Sequence, residues 1–282
     1  HWKTKEGLVR GCSCRGTAGF AHVSCLAEQA KILFAEAEEN NLSLKTINER
    51  WRRWDTCSLC EQQYHGVVAC ALTWACWKTY LGRPETDQIW RMAMQQLGNG
   101  LCEADLEEDA LSVREAELSM SRRLGASESD ILVVQCNLAI TYRKLKRLDE
   151  ALRVRQEVYS GRLRLDGEEH ERTLTAASHY SSSLIDLKRF EEAKALLRKM
   201  LPVARRVLGE NYELTLRMRW VYAQTLYTDT SATLDDLREA VTTLEDTART
   251  ARRVLGGAHP FTAGIEQALR KARAALRARE PR

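Results

Sequence analysis

Residues 131–167 decide the fold, and they read ILVVQCNLAITYRKLKRLDEALRVRQEVYSGRLRLDG. In the first half of this stretch apolar side chains recur every three or four residues, which predicts one apolar stripe along a helix. A second helix is predicted to begin at Leu148 and to end before Gly167, because glycine is common just past a helix C-terminus. Two such helices bury one face against each other and leave a second apolar face, which needs a neighbour of the same kind.

The same unit recurs along the chain. Its end marks share an arginine, apolar residues and a closing glycine, and they are Arg123–Gly125, Arg164–Gly167, Arg206–Gly209 and Arg253–Gly256. The closing glycines are 42, 42 and 47 residues apart, and the extra residues of the last interval fall in a predicted loop, Thr228–Leu234. A fixed period of this length predicts a helical solenoid of stacked pairs. The predicted pairs are roughly 85–125, 127–167, 169–209 and 211–256, followed by a capping helix, Phe261–Arg279.

The composition narrows the class of protein. The chain has 282 residues, of which 44% are hydrophobic and 29% charged, so it is predicted to be globular. The net charge of +4 is too small to indicate nucleic acid binding. A weaker hypothesis, that the chain binds nucleic acid, rests on the basic and aromatic stretch Arg50–Trp54. Packing beside a metal site explains two tryptophans there more simply.

Membrane insertion and secretion are not expected. The longest nearly unbroken apolar run, Val67–Trp77, is shorter than the roughly 18–20 residues that a membrane span needs. The nine cysteines are an odd number and no secretion signal is visible, so a reducing, cytoplasmic location is expected. The sequence starts at His1 rather than Met, so its true start is not known. Cysteines outside the N-terminal pairs are expected to be buried small hydrophobes, and they are Cys70, Cys76, Cys102 and Cys136.

Cysteine and histidine pairs with metal-ligand spacing occupy the N-terminal region. They are Cys12-x-Cys14, His22-x-x-Cys25 and Cys57-x-x-Cys60. One short turn can present both members of such a pair to one ion, and zinc prefers four such ligands in a tetrahedron. The alternatives are free cysteines in a small helical domain, or a redox pair at Cys57 and Cys60, but no βαβ pattern surrounds that pair.

Over about residues 8–66 these motifs resemble the RING-CH (RING-variant) zinc finger, including an aromatic residue, Tyr64, after the last pair. Ligands of that family alternate between two sites. The resemblance therefore implies one complete Zn²⁺ site on Cys12, Cys14, Cys57 and Cys60, and half of a second site on His22 and Cys25. Two departures are that no cysteine pair precedes Cys12 and that the gap from Cys25 to Cys57, 31 residues, is longer than usual. The resemblance also implies a ubiquitin-conjugating enzyme as a partner.

The repeats resemble tetratricopeptide repeats, most closely the form found in kinesin light chains. The segments that carry this resemblance are Asn137–Ala139, Asp149–Leu152, Glu191–Ala193, Leu208–Tyr212 and Leu255–Pro260. It implies a right-handed solenoid in which the first helix of each pair lines a concave groove for an extended peptide. The residues predicted to face the groove are Asn137, Arg143, Lys144, His179, Ser182, Arg217, Trp220, Gln224 and Tyr227. Because Arg143, Lys144 and Arg217 are cationic, an unstructured acidic peptide is expected.

The sequence therefore predicts an all-α protein with three parts. These are a zinc-binding module at 1–66, a connecting helix at 67–84, and tetratricopeptide-like repeats with a capping helix at 85–282. No acid–base dyad, nucleophile–base pair or phosphate loop is recognisable, so a non-catalytic protein–protein interaction scaffold is expected. The alternative is a RING-CH-type ubiquitin-protein ligase whose repeats recruit the substrate.

Overall fold

The computed structural model describes residues 5–280. Within them the chain forms twelve α-helices, a single 3-10 turn at Arg52–Trp54 and two isolated β-bridges, so the predicted all-α class is confirmed. The helices are α1 Val23–Glu39, α2 Leu44–Trp51, α3 Gly66–Tyr80, α4 Gln88–Glu103, α5 Glu107–Arg123, α6 Glu128–Lys144, α7 Leu148–Asp166, α8 Glu171–Asp186, α9 Phe190–Leu208, α10 Glu213–Thr228, α11 Leu234–Leu255 and α12 Pro260–Arg279. The outer ends of the predicted parts, residues 1–4 and 281–282, lie outside the described residues.

Helices α4 to α11 form the four predicted pairs. Helix α7 begins at Leu148 and ends one residue before Gly167, as the sequence predicts. Gly167, Gly209 and Gly256 follow α7, α9 and α11 with φ of 83°, 89° and 90°, a left-handed conformation that glycine adopts without steric cost. The predicted loop lies between α10 and α11, as expected.

A polar contact between the end of each second helix and a residue at or just before the start of its partner recurs in every pair. The partners are Arg123 with Glu85, Arg164 with Glu128, Arg206 with Glu169 and Arg253 with Asn211. The three ion pairs are solvent-exposed, so each contributes at most about 1 kcal/mol. These contacts hold the two helices of each pair in the same relative position from one repeat to the next.

The described chain divides into two compact units, one ending at Ser127 with α1–α5 and the other beginning at Glu128 with α6–α12. This division differs from the predicted boundaries at 66/67 and 84/85, which stay predictions. In the first unit α3 and α4 approach closely. A Cβ atom added at Gly100 on α4 would lie 2.1 Å from Oγ1 of Thr73 on α3. The side chain of Thr73 therefore leaves no room for a side chain at position 100, and α4 packs on α3 as well as on α5.

An aromatic cluster forms the core of the first unit. Trp54 and Phe34 are fully buried, Trp51 and Tyr80 nearly so, and the rings of Phe34 and Trp51 meet edge to face with centroids 5.0 Å apart. The two tryptophans of the Arg50–Trp54 stretch are therefore core residues whose faces are unavailable for stacking on bases. This agrees with the packing interpretation. Among the described residues, no helix combines the length and apolar composition that crossing a bilayer requires.

The four cysteines outside the N-terminal pairs were all expected to be buried, which is right for Cys76 and Cys102 and wrong for Cys70 and Cys136, which are partly exposed. Cys70 shares one face of α3 with Val67 and Trp74, which are both exposed. An almost continuously apolar helix such as α3 does not reveal from its sequence which face it turns to solvent.

Helices α8 to α11 supply the centre of the second unit's core. Leu184, Leu197, Met218 and Leu244 come one from each of these helices, and each is at most 1% exposed. Burying a side chain of this size stabilises a fold by about 1.5–3 kcal/mol. This unit therefore has a hydrophobic core of its own, which holds the inner helices of the groove in place.

Candidate functional site

Four thiols converge in the first unit. The sulfur atoms of Cys12, Cys14, Cys57 and Cys60 all lie within 4.8 Å of one another, and Sγ of Cys14 is 3.8 Å from Sγ of Cys57. Zinc–sulfur bonds of about 2.3 Å in a tetrahedron separate the sulfurs by about 3.8 Å. The spacing of the thiols therefore fits a four-coordinate metal ion, and the cluster could bind one.

Two tight turns position these thiols. The first pair lies in a loop closed by the bridge between Val9 and Ala21, and the second lies in a loop closed by the bridge between Thr56 and Gln63. Gly19, with φ of 78°, belongs to the first loop, and a Cβ atom there would lie 2.8 Å from Sγ of Cys12. Only glycine permits both that backbone conformation and that close approach.

The cluster also contacts α3. The carbonyl of Gly11 accepts a hydrogen bond from the backbone N–H of His65 at 2.8 Å, which ties the first loop to the start of that helix. Cys12 and Cys57 pack with Tyr64, Val68 and Leu72, so one side of the cluster is sealed by apolar side chains. Exclusion of water on that side favours a structural site over a catalytic one.

The thiol of Cys57 has a lowered pKa. Burial raises its pKa, but the backbone N–H groups of Cys60 and Leu59 and the neighbouring thiols outweigh that effect, and its pKa is lowered to about 7. The N–H of Leu59 lies 3.4 Å from the Cys57 sulfur. Burial raises the pKa of Cys12 and of Cys14. Because metal ligation requires thiolates, the lowered pKa of Cys57 favours metal binding by the cluster.

The predicted half-site lies apart from this cluster. Sγ of Cys25 is 3.7 Å from Nδ1 of His22, so the two residues could contact one ion. In the described part of the chain, however, they belong to no group of three or more ligands within 4.8 Å of one another. His22 is the residue that precedes α1, and Cys25 is exposed in its first turn.

The second unit contains a large cavity. Its volume is about 740 Å³, and it is lined by side chains from α6, α7, α8, α10 and α12. Of the predicted groove residues, seven line it, namely Arg143, Lys144, His179, Ser182, Arg217, Trp220 and Gln224. Asn137 and Tyr227 do not contribute to its lining. Tyr227 packs instead against the hydrophobic core, and burial raises its pKa.

This cavity has an excess of positively charged side chains. Five cationic side chains line it, against one carboxylate within the described part of the chain, that of Asp186. Asp186 is paired with Arg143, whose Nε lies 2.5 Å from its Oδ2. Arg217 pairs with Glu213 one turn earlier on α10, with 2.8 Å between nitrogen and oxygen.

His179 is a neutral residue among these cations. Burial and the guanidinium groups of Arg155, Arg217 and Arg143 lower its pKa to about 4. Its Nδ1 accepts a hydrogen bond of 3.0 Å from Nη1 of Arg155, which requires that nitrogen to be unprotonated. The positive charge of the cavity therefore comes from its Arg and Lys side chains and not from His179.

Three important lining residues were not predicted. Asp186 and Arg155 were missed, as was Phe261, whose ring meets Trp220 edge to face at a centroid distance of 5.5 Å. The sequence contains a feature that could have identified Arg155 as a lining residue. It lies 42 residues before Leu197, so an arginine occupies a position at which the next repeat has a fully buried leucine.

Comparisons with known proteins support the repeat fold. The Tetratricopeptide repeat family matches residues 130–199. The chain resembles the nearly identical TPR-like repeats of a kinesin light chain from Podosopora anserina, with 16% identity and a TM-score of 0.55 over 83% of this chain and 97% of that chain. It also resembles the apo form of RapI, with 12% identity and a TM-score of 0.52 over 89% of this chain and 85% of that one.

A further similar structure is a Rap protein complexed with Competence and Sporulation Factor, with 13% identity and a TM-score of 0.52 over 90% of this chain and 66% of that chain. No curated protein sequence matches the chain. At these identities the likeness shows the fold alone. The tetratricopeptide-type helical solenoid, with kinesin-light-chain-like neighbours, is confirmed, whereas the RING-CH assignment of residues 8–66 stays a prediction.

Proposed function

We propose that this chain is a non-catalytic interaction scaffold whose second unit binds an unstructured, acidic peptide. The observation that carries the proposal is the basic cavity of about 740 Å³ between the inner helices of the repeats. It is large enough for several side chains of an extended peptide. Its excess of arginine and lysine favours acidic side chains and disfavours basic ones, which gives the site charge selectivity.

Apolar surface in the same cavity gives the peptide a second kind of contact. Trp220 and Phe261 form an aromatic wall, and Ile140, which is 44% exposed, lies on α6. Arg217 stacks over the ring of Phe261 at 5.5 Å, so cationic and aromatic surfaces adjoin. A site of this composition favours a peptide in which acidic and apolar residues alternate.

The test isolates the contribution of charge with an eight-residue, fluorescein-labelled peptide of alternating Glu and Ser, and with alternating Gln and Ser as the neutral control. We expect fluorescence polarisation to detect binding of the acidic peptide only. The double variant Arg143→Glu with Arg217→Glu should abolish it without lowering the melting temperature. The matched control is Arg238→Glu with Arg249→Glu, which makes the same charge change at exposed, ion-paired arginines outside the cavity.

If the groove variant and the control variant bind the acidic peptide equally well, the groove is not the binding surface. Raising the salt concentration from 50 to 200 mM should weaken the binding, because the attraction is between partly exposed charges. Binding that is insensitive to both changes would contradict the proposal.

The proposed cofactor of the first unit is a single Zn²⁺ held by Cys12, Cys14, Cys57 and Cys60. Four thiolates close a tetrahedral site, and such sites stabilise small fingers by about 10–16 kcal/mol. The chemistry that the ion supplies is structural: it links the two turns that contain its ligands. A second ion on His22 and Cys25 would have only half of its ligands, and we expect at best weak occupancy there.

The second candidate function is a RING-CH-type ubiquitin ligase, in which the finger recruits a ubiquitin-conjugating enzyme and the repeats hold the substrate. One observation favours it. Leu59, between two of the clustered cysteines, is 68% exposed and offers an apolar contact beside the proposed metal. Ubiquitin discharge from a panel of charged conjugating enzymes tests this candidate. Acceleration by the native chain that Leu59→Ala removes would support it, and no acceleration by any of them would exclude it for that panel.

The proposed compartment is the cytoplasm, where reduced thiols remain available to bind metal. Nine free cysteines are compatible with that setting. A fluorescent fusion of the chain, imaged in cells, tests the location.

A further inference from the structure

Arg155 is a cation buried in the wall of the groove. It projects from α7, is 7% exposed, and lines the cavity. Its hydrogen-bond partner is neutral, because Nη1 donates to His179, and the thiol of Cys136 and the cationic Arg143 are close to the same guanidinium. Burial lowers the pKa of Arg155, and among the described residues no carboxylate is close enough to pair with it.

The other arginines of the cavity are arranged differently. Arg143 and Arg217 are both about half exposed and each already has a carboxylate partner, Asp186 and Glu213 respectively. Their charges are partly neutralised within the fold. Arg155 is therefore the residue of the cavity whose charge is both desolvated and unneutralised.

Such an arrangement is costly in the absence of a ligand. Burying an unpaired charge is destabilising, and buried charges in proteins are normally paired. The following repeat has Leu197 at the position equivalent to Arg155, so the repeat architecture does not require a charge there. A guanidinium that is partly desolvated and held by a neutral acceptor is also prepared to form strong, bidentate hydrogen bonds with an oxyanion.

We propose that Arg155 is the anion-selecting residue of the groove, and that His179 positions it. The ligand group is an oxyanion on a side chain of the bound peptide, either the carboxylate of Asp or Glu or the phosphate of a phosphorylated residue. This inference rests on the proposed function, because it assumes that a peptide occupies the cavity. It adds that one buried arginine, rather than the general basic surface, distinguishes acidic from neutral peptides.

His179 has a specific part in this arrangement. Its Nδ1 occupies one donor of the guanidinium, and the other N–H groups of an arginine can then face an incoming anion. A protonated His179 could not accept that hydrogen bond. The charged groups that face His179 are Arg143 from α6, Arg155 from α7 and Arg217 from α10, with Asp186 lining the same cavity. The neutral form of His179 is therefore the form that holds the Arg155 guanidinium in place.

The experiment measures binding of three labelled eight-residue peptides to the whole chain: alternating Glu and Ser, alternating Gln and Ser, and alternating Gln and phosphoserine. Arg155→Met removes the charge and keeps an unbranched side chain, whereas Arg155→Lys keeps the charge and loses the planar fork. We expect Arg155→Met to weaken binding of the preferred anionic peptide at least tenfold, and Arg155→Lys to weaken it several-fold. Arg238→Met, at an exposed site outside the cavity, should leave the affinity unchanged.

The two anionic peptides distinguish carboxylate from phosphate as the preferred group. Folding of each variant is checked by circular dichroism and thermal unfolding, and Arg155→Lys serves as the informative variant if Arg155→Met does not fold. A second measurement tests the positioning role of His179. His179→Leu, which has no hydrogen-bond acceptor for Arg155, should weaken binding of the preferred anionic peptide several-fold, whereas His179→Asn, which keeps one, should bind it like the native chain. Equal binding by these two variants would refute the positioning role.

The outcomes separate this inference from the proposed function. If Arg155→Met and Arg155→Lys both bind the anionic peptides like the native chain, while Arg143→Glu with Arg217→Glu abolishes binding, the groove stands and the role of Arg155 is refuted. Equal binding of the anionic and neutral peptides by the native chain also refutes it. If no peptide binds the native chain, this inference and the proposed peptide-binding function are both overturned.

Discussion

Replacing His179 by asparagine should make the second unit less sensitive to acid. The pKa of His179 is lowered to about 4 in the folded chain by burial and by the guanidinium groups of Arg155, Arg217 and Arg143, whereas an unfolded histidine has a pKa of about 6.5. As pH falls below about 6.5, His179 binds a proton in the unfolded state but not in the folded state. The stability from the neutral histidine is therefore complete above pH 6.5 and is lost as pH falls towards 4.

The magnitude follows from the two pKa values. The full difference corresponds to about 3 kcal/mol, and about 2.5 kcal/mol of it should be lost between pH 7.5 and pH 4.5. Asparagine can still accept the hydrogen bond from Arg155 but does not titrate. The variant should therefore lack this component of acid destabilisation while retaining the components that come from carboxylates.

The assay is urea unfolding of the native chain and of His179→Asn, followed by helical circular dichroism at several pH values from 7.5 to 4.5. The quantity of interest is the difference between the two proteins, because contributions from all other titrating groups are common to both. His170→Asn, at the exposed N-cap of α8, is the control for a change of histidine alone. Parallel stability profiles for the native chain and His179→Asn would refute the assignment of a buried, neutral histidine at this site.

Three further predictions concern the metal and the packing. Elemental analysis should give close to one zinc per chain, Cys57→Ser should lose it, and Cys25→Ser should retain it; a zinc content unaffected by Cys57→Ser would exclude the four-cysteine site. Gly100→Ala should destabilise the first unit by about 1–3 kcal/mol, because its Cβ would overlap the side chain of Thr73, whereas Gly82→Ala, with no atom within 4 Å of its Cβ, should have little effect on thermal unfolding. Thr233→Ala should cost about 1 kcal/mol in urea unfolding, because it removes the capping box that Thr233 forms with Asp236 at the start of α11; an unchanged midpoint would contradict that role.

The fold was largely predictable because its signals are local and repeated. The period of the end glycines gave the number of helix pairs, and the start of α7 at Leu148 was correct to the residue. Each glycine marks a backbone conformation that other residues adopt at a cost, so its position is informative without any knowledge of tertiary contacts. Which residues of α3 and α4 meet was not predictable, because that depends on which faces of two apolar helices are in contact.

The groove was predicted only in part, for a physical reason. Residues of the first helix in each pair were assigned by alignment, and Arg143, His179 and Trp220 from that set line one cavity. Arg155 lies on a second helix, where an inward position is expected to be apolar. Phe261 lies on the terminal helix, which was interpreted as a cap although it also contributes a wall. Helical periodicity identifies which residues point inward but does not show whether they meet another side chain or a solvent-filled space.

The contact between α3 and α4 has a consequence for genetic tests of the N-terminal cysteines. Removing residues 1–84 would be the ordinary way to ask what they do. That truncation would also strip α3 from α4 and leave Thr73's packing partner Gly100, together with Leu97 and Leu101, on a newly exposed surface. A loss of activity after such a deletion would then report misfolding or aggregation as readily as the loss of a metal centre. Single substitutions at the cysteines, compared with Cys25→Ser, keep that helix in place and separate the two effects.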